Sequence, residues 1–135
     1  MDGYNPFSLE GKTILITGAS SGIGRAIATA CSRMGATVVA TGRNVQKLEA
    51  TMEVLESEMS FMYPADLTKI EDVKELVINV SKLDGVVHCA GIGQRVPCKN
   101  VNSENIDEVL AVNFKAPVLL MSSLLQLKKI NKGRH

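Results

Sequence analysis

Three segments of the sequence are nearly continuous runs of apolar and β-branched residues. Such runs are typical of strands in a parallel sheet, because these strands are covered on both faces. A fourth, weaker run ends at Pro64 and predicts a shorter strand. The four predicted strands cover residues 13–17, 36–41, 60–63 and 85–90.

Between these runs the apolar residues recur with the period of a helix, which predicts one helix after each of the first three strands. Gly35 is placed to end the first helix, and Thr68 with Glu71 predicts a capping box for the third. A further helix, in one or two pieces, is predicted from about Ser103 to Lys129, with Asn102 or Ser103 as its cap. The predicted buried faces are Ile23, Ile27, Cys31 and Met34; Val45, Leu48, Met52 and Leu55; and Ile70, Val73, Val77 and Val80.

This alternation of strands and helices predicts an α/β fold. Sequential strands joined by crossover helices form a doubly wound, Rossmann-type parallel sheet, here of about four strands. The length, 135 residues, predicts one domain spanning residues 1–135.

Composition and charge narrow the classes of function. Lys and Arg number 15 against 14 Asp and Glu, a net charge of +1 without a long basic run, so nucleic acid is not an expected partner. The sequence has no secretory leader pattern and no apolar run near the ~20 residues of a membrane span, which predicts a cytoplasmic protein without membrane insertion. The three cysteines lack C-x-x-C spacing, and no metal site is predicted.

A glycine-rich segment joins the first strand to the first helix. Gly18 permits a tight turn, Gly22 lets the backbone approach a diphosphate, and Gly24 lets the helix lie close to the strand. The helix N-terminus then offers N–H groups to phosphate, and Ser20 and Ser21 add hydroxyl donors. The alternative is a turn whose glycines serve packing alone. The predicted phosphate-binding segment is Gly18, Ser20, Ser21, Gly22, Ile23 and Gly24.

The pattern Thr-Gly-x-x-x-Gly-x-Gly at residues 17–24, preceded by Leu-Glu-Gly-Lys at 9–12, resembles the short-chain dehydrogenase/reductase family. The resemblance continues to about residue 130 and corresponds to the N-terminal half of the family's fold. It implies an oxidoreductase that uses NADP(H) or NAD(H) to interconvert a carbonyl and an alcohol. It also implies that this chain is the N-terminal part of a longer fold, truncated after its nucleotide-binding half.

The end of the second strand bears on the choice of nucleotide. A dinucleotide fold usually has an acidic residue there, which binds the ribose 2′-hydroxyl. This sequence has Arg43 instead, where a guanidinium can pair with a 2′-phosphate. NADP(H) is therefore favoured over NAD(H), and the alternative is a solvated arginine without a ligand.

Two further segments match the family's nucleotide contacts. Asp66, with Leu67, resembles the family's adenine contact; the alternative is a turn or helix-cap aspartate, which does not exclude that contact. Ala90 and Gly91 match the small pair whose backbone passes the ribose in the family. His88 and Cys89 depart from the family's Asn-Asn, and His88 is predicted to be a core residue.

The family's catalytic residues are mostly absent from the sequence. The resemblance implies a tyrosine, a lysine four residues later and a serine, but Tyr4 and Tyr63 are the only tyrosines and neither has that lysine. Asn113 matches the family's helix asparagine, and Pro117 leaves the main-chain carbonyl of Asn113 without its helical donor and free to bind water. The alternative is a helix kink with a cap-like asparagine.

These observations lead to two functional hypotheses that differ in chemistry. The first is an oxidoreductase of the family whose present chain binds cofactor without turning over substrate. The second is a non-catalytic NADP(H)-binding or self-assembling module. Homo-oligomers are expected in either case, because the fourth strand offers an open edge and the last helix is apolar over more than one face.

Overall fold

The computed structural model describes residues 3–133. Its centre is a sheet of four parallel strands in the order β3-β2-β1-β4. Leu15 in the first strand pairs with Val39 on one side and with Val86 on the other. The predicted doubly wound α/β sheet is therefore confirmed. The strands are β1 (Thr13–Thr17), β2 (Thr37–Gly42), β3 (Phe61–Pro64) and β4 (Gly85–His88).

Helices cover both faces of this sheet. One core layer joins Leu15 and Val39 to α3 and α5, through residues such as Leu76 and Leu120. The other joins alternate residues of β1 and β2 to α1 and α2, where Leu48 is fully buried. The helices are α1 (Gly22–Arg33), α2 (Val45–Val54), α3 (Ile70–Asn79), α4 (Ser103–Leu110) and α5 (Ala116–Gln126).

The outer strands are less covered than their sequences predict. The run 85–90 is a strand only as far as His88, and Val86 and Val87 are half-buried, because β4 lies at the sheet edge. His88 is exposed, so its predicted place in the core is wrong. A run of apolar residues predicts a strand, but it does not show whether that strand lies in the centre of the sheet or at its edge.

The helix ends also differ in part from the prediction. Gly35 follows α1 with φ of +98°, as the predicted stop requires. At α3, however, the cap position is Lys69 and no side chain caps the helix. Thr68 instead donates its hydroxyl to Asp66 at 2.6 Å, so the predicted capping box is wrong. The two patterns look alike in sequence because threonine and aspartate serve both turns and caps.

The last helical segment bends through a π-helical turn. Asn102 and Asn105 form a reciprocal capping box at the start of α4, which confirms the Asn102 cap. The chain then passes through a π turn, Ala111–Lys115, directly into α5. In this turn the Ala116 N–H donates to the Ala111 carbonyl. The Ala116 N–H is therefore not available to the Val112 carbonyl, and Pro117 has no N–H for the Asn113 carbonyl, so both carbonyls lose the donors of regular α-helical pairing.

The outward side of the segment Ser103–Gln126, which comprises α4, the π turn and α5, is strongly apolar. By length and composition alone, the segment Ser103–Gln126 is apolar enough to cross a membrane, a test that core helices of soluble proteins also pass. Leu120 and Leu124 are buried, but Phe114 is 66% and Leu125 60% exposed. Three carboxylates interrupt the surface of α4, which favours a protein contact over lipid. They belong to Glu104, Asp107 and Glu108.

We expect this surface to drive self-association. Light scattering over a concentration series should show the apparent mass rising above 14.5 kDa. Leu125→Glu should shift the distribution toward monomer, because a charge would have to be buried in the contact. Met59→Glu is the control, since Met59 is also an exposed apolar side chain, at 76%, but lies outside α4 and α5. A monomer at all concentrations would contradict the prediction.

A short β-bridge extends the sheet next to the N-terminal end of β4. Leu83 pairs in parallel with Ile130. The Leu83 N–H donates to the Lys129 carbonyl at 2.6 Å, and the Asn131 N–H donates to the Leu83 carbonyl at 2.8 Å. Among the described residues, this is the only pairing on the outer side of β4, so Gly85–His88 has a free edge.

Candidate functional site

A cavity of about 430 Å³ opens at the carboxyl ends of the strands, where β1 and β4 meet. Parallel α/β sheets bind ligands at such a crevice, and the volume lies in the usual range of ligand sites. All residues predicted to bind cofactor line it. They are Gly18, Ser20, Ser21, Gly22, Ile23, Gly24, Arg43, Asp66, Leu67, Ala90 and Gly91.

The three glycines of the loop after β1 meet different surroundings. A Cβ on Gly18, which has φ of +61°, would lie 2.6 Å from the Ala90 nitrogen. A Cβ on Gly24 would lie 1.9 Å from the Gly18 carbonyl oxygen. Gly22 has φ of +55° and a Cβ there would meet nothing within 4 Å. Gly18 and Gly24 therefore allow close packing of the backbone, whereas Gly22 leaves open space at the mouth of the crevice.

The start of α1 is free to bind an anion. Ser21 is its cap residue, but its side chain forms no capping hydrogen bond, and the first turn carries no acidic residue. The N–H groups of the first turn are therefore not satisfied by a capping side chain, and the positive end of the helix dipole is not compensated. Ile23, predicted to face the core, is 76% exposed and lines the crevice instead. A diphosphate fits this donor set.

Thr17 joins the two strands that flank the crevice. Its hydroxyl accepts hydrogen bonds from the N–H groups of Cys89 and Ala90, each at 3.1 Å. The side chain is buried, and Thr17 also lines the crevice. The sequence prediction gave Thr17 no role, because these partners lie more than 70 residues away. Its position as the last residue of β1, before Gly18, was the available signal.

Arg43 and Asp66 line the crevice beyond the ends of β2 and β3. Hydrogen bonds from Thr68 hold the pKa of the Asp66 carboxyl below its usual range, and the positive charge of Arg43 adds to this effect. Asp66 is therefore ionised at neutral pH. Among residues 3–133, Arg43 forms no salt bridge, so its exposed guanidinium is available to a ligand.

His88 and Cys89 line the crevice at the end of β4. Although the residue as a whole is exposed, desolvation of the imidazole against the crevice lowers the pKa of His88 below its ordinary value, which favours the neutral ring. Cys89 is half-buried and its thiol is free. Neither side chain repeats the amide donor and acceptor of the asparagine that the resemblance implies at position 88.

The Asn113 side chain fixes the loop that follows Gly91. Its Oδ1 accepts from the Ile92 N–H at 2.8 Å, and its Nδ2 donates to the Ile92 carbonyl at 2.8 Å. Asn113 is exposed rather than turned into the core, and the helix is not regular at this point. The neighbouring Val112, Ala116 and Pro117 line the crevice. The π turn and the Ile92 loop thus form one wall of the site.

Neither tyrosine reaches this wall. Tyr4 is 92% exposed and precedes β1. The Tyr63 hydroxyl accepts from the Asn79 Nδ2 at 3.1 Å, on the side of α3. Neither residue lines the crevice. No tyrosine of this chain is therefore placed to exchange a proton with a substrate there.

Comparison with known proteins agrees with this geometry. A family model described as short chain dehydrogenase matches residues 12–134. A short chain dehydrogenase/reductase of Gibberella zeae is 39% identical over 88% of this chain and 46% of its own length. A 3-oxoacyl-[acyl-carrier-protein] reductase of Rickettsia bellii is 35% identical over 92% of this chain and 51% of its own.

Solved structures give the same result. A short chain dehydrogenase from Shigella flexneri superimposes with a TM-score of 0.78 and 34% identity, over 87% of this chain and 50% of its own. A dehydrogenase/reductase from Sinorhizobium meliloti gives 0.82 and 32%, over 89% and 50%. The chain spans about half the length of the curated relatives it matches. Sequence and fold agree that it belongs to the short chain dehydrogenase family.

Proposed function

We propose that the chain binds NADP(H), and NAD(H) more weakly, in the crevice at the ends of β1 and β4. The observation that carries the proposal is Gly22, which leaves open space in front of an uncapped helix N-terminus. That arrangement suits a diphosphate. The free guanidinium of Arg43 suits a 2′-phosphate, because charge-assisted pairs with phosphate are strong and bidentate.

The family resemblance implies the remaining contacts, and the strand order places Asp66, after β3, and Ala90, after β4, at opposite edges of the sheet. Asp66 and Leu67 would hold the adenine, and Ala90 and Gly91 would pass close to the ribose at the other end. When bound, the cofactor supplies or accepts a hydride at its nicotinamide. The chain itself positions the cofactor and lines the crevice beside it. Asn113 would contribute indirectly, through the loop at Ile92 and through a main-chain carbonyl free to bind a water.

The reaction we propose for the whole protein is interconversion of a carbonyl and an alcohol. The Rickettsia bellii relative is by name a reductase of 3-oxoacyl groups, which carry a ketone. Reducing a ketone requires a proton as well as a hydride, and a general acid contributes about 10²–10⁴ in rate. Tyr4 and Tyr63 lie outside the crevice, so we propose that the 135-residue chain binds cofactor without turnover.

Titration with NADPH and NADH, followed by nucleotide fluorescence, tests the binding proposal. We expect saturable binding with NADPH preferred, and no oxidation of NADPH when a panel of ketones and aldehydes is added. Absence of binding by either nucleotide would overturn the proposed function. Oxidation of NADPH with any of these carbonyl compounds would overturn the proposal that the chain lacks turnover, and would show that it is an active enzyme.

Cysteine reactivity offers an independent test of where the nucleotide binds. Cys89 lines the crevice, whereas Cys98 is exposed in the 3-10 turn Cys98–Asn100 and does not line it. NADPH at ten times its Kd should slow alkylation of Cys89 about tenfold, because only the free protein reacts.

Peptide mass spectrometry measures the alkylation of both cysteines in one sample, and Cys98 serves as the control. Burial raises the pKa of the Cys31 thiol, so Cys31 should react slowly throughout. Equal protection of Cys89 and Cys98 would contradict the placement.

A further inference from the structure

Two side chains that do not line the crevice form hydrogen bonds with the glycine-rich loop after β1, called the glycine loop below. Arg25 donates from Nη2 to the Ser20 carbonyl at 2.5 Å and to the Lys47 carbonyl at 3.1 Å. Its Nε donates to the Thr51 hydroxyl at 2.9 Å. The Thr51 hydroxyl lies 2.7 Å from the Ala19 carbonyl, its nearest acceptor. Arg25 and Thr51 thus connect the loop to α2.

The loop is also held on its other side. The Ala19 N–H donates to the Thr41 carbonyl of β2 at 3.1 Å. Ala19 and Thr51 are both 0% exposed, so the Ala19 carbonyl is buried with Thr51 as its hydroxyl partner. A buried carbonyl that loses its partner is costly, which makes this contact a strong constraint on the loop.

The constraint fixes the direction of two N–H groups. In a trans peptide the C=O and the following N–H point in opposite directions. The Ala19 and Ser20 carbonyls point toward Thr51 and Arg25, and neither Thr51 nor Arg25 lines the crevice. The N–H groups of Ser20 and Ser21 therefore point away from those side chains, and Ser20 and Ser21 both line the crevice.

We propose that Arg25 and Thr51 are positioning residues that aim the loop's N–H groups at the cofactor diphosphate. This inference rests on the proposed function, since it takes a dinucleotide as the ligand of the crevice. Neither residue would touch the cofactor. Their contribution is preorganisation, because a loop already fixed in the binding conformation need not be ordered when the ligand arrives. The same two residues link the loop to α2, whose first turn follows Arg43.

Thr51→Val tests the inference, because it keeps the side-chain shape and removes the hydroxyl. We expect the Kd for NADPH to rise about tenfold or more, the effect of one lost hydrogen bond and a loosened loop. The Kd for adenosine 2′-monophosphate should change less than about twofold, because that ligand lacks the diphosphate. Thr51→Ser keeps the hydroxyl and should restore NADPH binding.

Ser32→Ala is the matched control. Ser32 is also a nearly buried hydroxyl, 4% exposed, and accepts from the Glu56 N–H at 2.7 Å, but it does not line the crevice. Its loss should lower the melting temperature without changing the Kd for NADPH. Should Thr51→Val fail to fold, Arg25→Met keeps the apolar stem, removes the guanidinium and should weaken NADPH in the same way.

The outcomes separate this inference from the proposed function. If the unmodified chain binds neither NADPH nor NADH, the proposed function fails. If the unmodified chain binds NADPH and both Thr51→Val and Arg25→Met bind it within twofold, the positioning role alone is overturned. It is also overturned if Ser32→Ala weakens NADPH as much as Thr51→Val does, because the effect would then be one of general stability.

Discussion

Replacing Gly22 with alanine will leave the chain folded and remove most of its affinity for NADPH, whereas replacing Gly24 will destabilise the fold. A Cβ on Gly22 meets no protein atom within 4 Å, so its only cost in the free chain is the positive φ, about 1–2 kcal/mol. In the complex it would occupy the path of the diphosphate, and we expect the Kd to rise on the order of 100-fold.

Gly24→Ala acts on the backbone. Its Cβ would lie 1.9 Å from the oxygen and 2.6 Å from the carbon of the Gly18 carbonyl, and neither atom can move without displacing α1 from β1. Overpacking of this kind costs about 3 kcal/mol or more, which lowers the melting temperature on the order of 10 °C.

Thermal unfolding and NADPH titration should be measured on both glycine variants and on a control, Gly93→Ala. A Cβ on Gly93 meets nothing within 4 Å, its φ is not positive and the residue does not line the crevice, so both readouts should be unchanged. Undiminished NADPH affinity in Gly22→Ala would remove the main support for a diphosphate at this loop. A Gly24→Ala chain of normal stability would show that α1 can move away from β1.

Arg43→Ala will change the choice between the two nucleotides. A hydrogen bond to a charged group contributes about 1.5–3 kcal/mol, so the Kd for NADPH should rise roughly 10- to 150-fold. The Kd for NADH should change less than about threefold, because NADH lacks the 2′-phosphate. The preference for NADPH should therefore fall or disappear.

Titrating both nucleotides at a fixed, stated ionic strength provides the measurement, since salt weakens exposed charge pairs. Arg33→Ala is the control: Arg33 is exposed in the last turn of α1, is paired with Glu56, and does not line the crevice. Equal losses for NADPH and NADH in Arg43→Ala would mean that Arg43 supports the site without reading the 2′-phosphate.

The sequence predicted the fold well because the continuous apolar runs of the strands are clearly distinct from the helical spacing of the apolar residues between them. The predicted runs 13–17 and 36–41 correspond to β1 and β2, the two central strands, which are almost entirely buried. Where the prediction was wrong, tertiary position decided the result. Ile23 has the spacing of a core residue, but it lies in the first turn of α1 beside the crevice. His88 belongs to an apolar run, but that run forms an edge strand.

The candidate site was predictable where the chain is locally constrained. The glycines after β1 and Arg43 were predicted from their positions at strand ends, Asp66 was predicted from the family resemblance, and all of them line the crevice. The contacts of Thr17 with β4 and of Thr51 with Arg25 and Ala19 were not predictable, because these partners lie 26 or more residues away. Pro117 predicted a lost helical donor near Asn113, but the bidentate contact of Asn113 with Ile92 required the three-dimensional structure.

The pairing of Leu83 with Ile130 restricts how the sheet can grow. Because this first pair is parallel, any strand that continues from Ile130 inherits its direction, and the same offset would bring Lys132 opposite Gly85. A strand from a second copy must either displace Ile130 or start beyond it. Addition of a foreign strand at β4 is thus a competition with the chain's own segment, decided by local concentration.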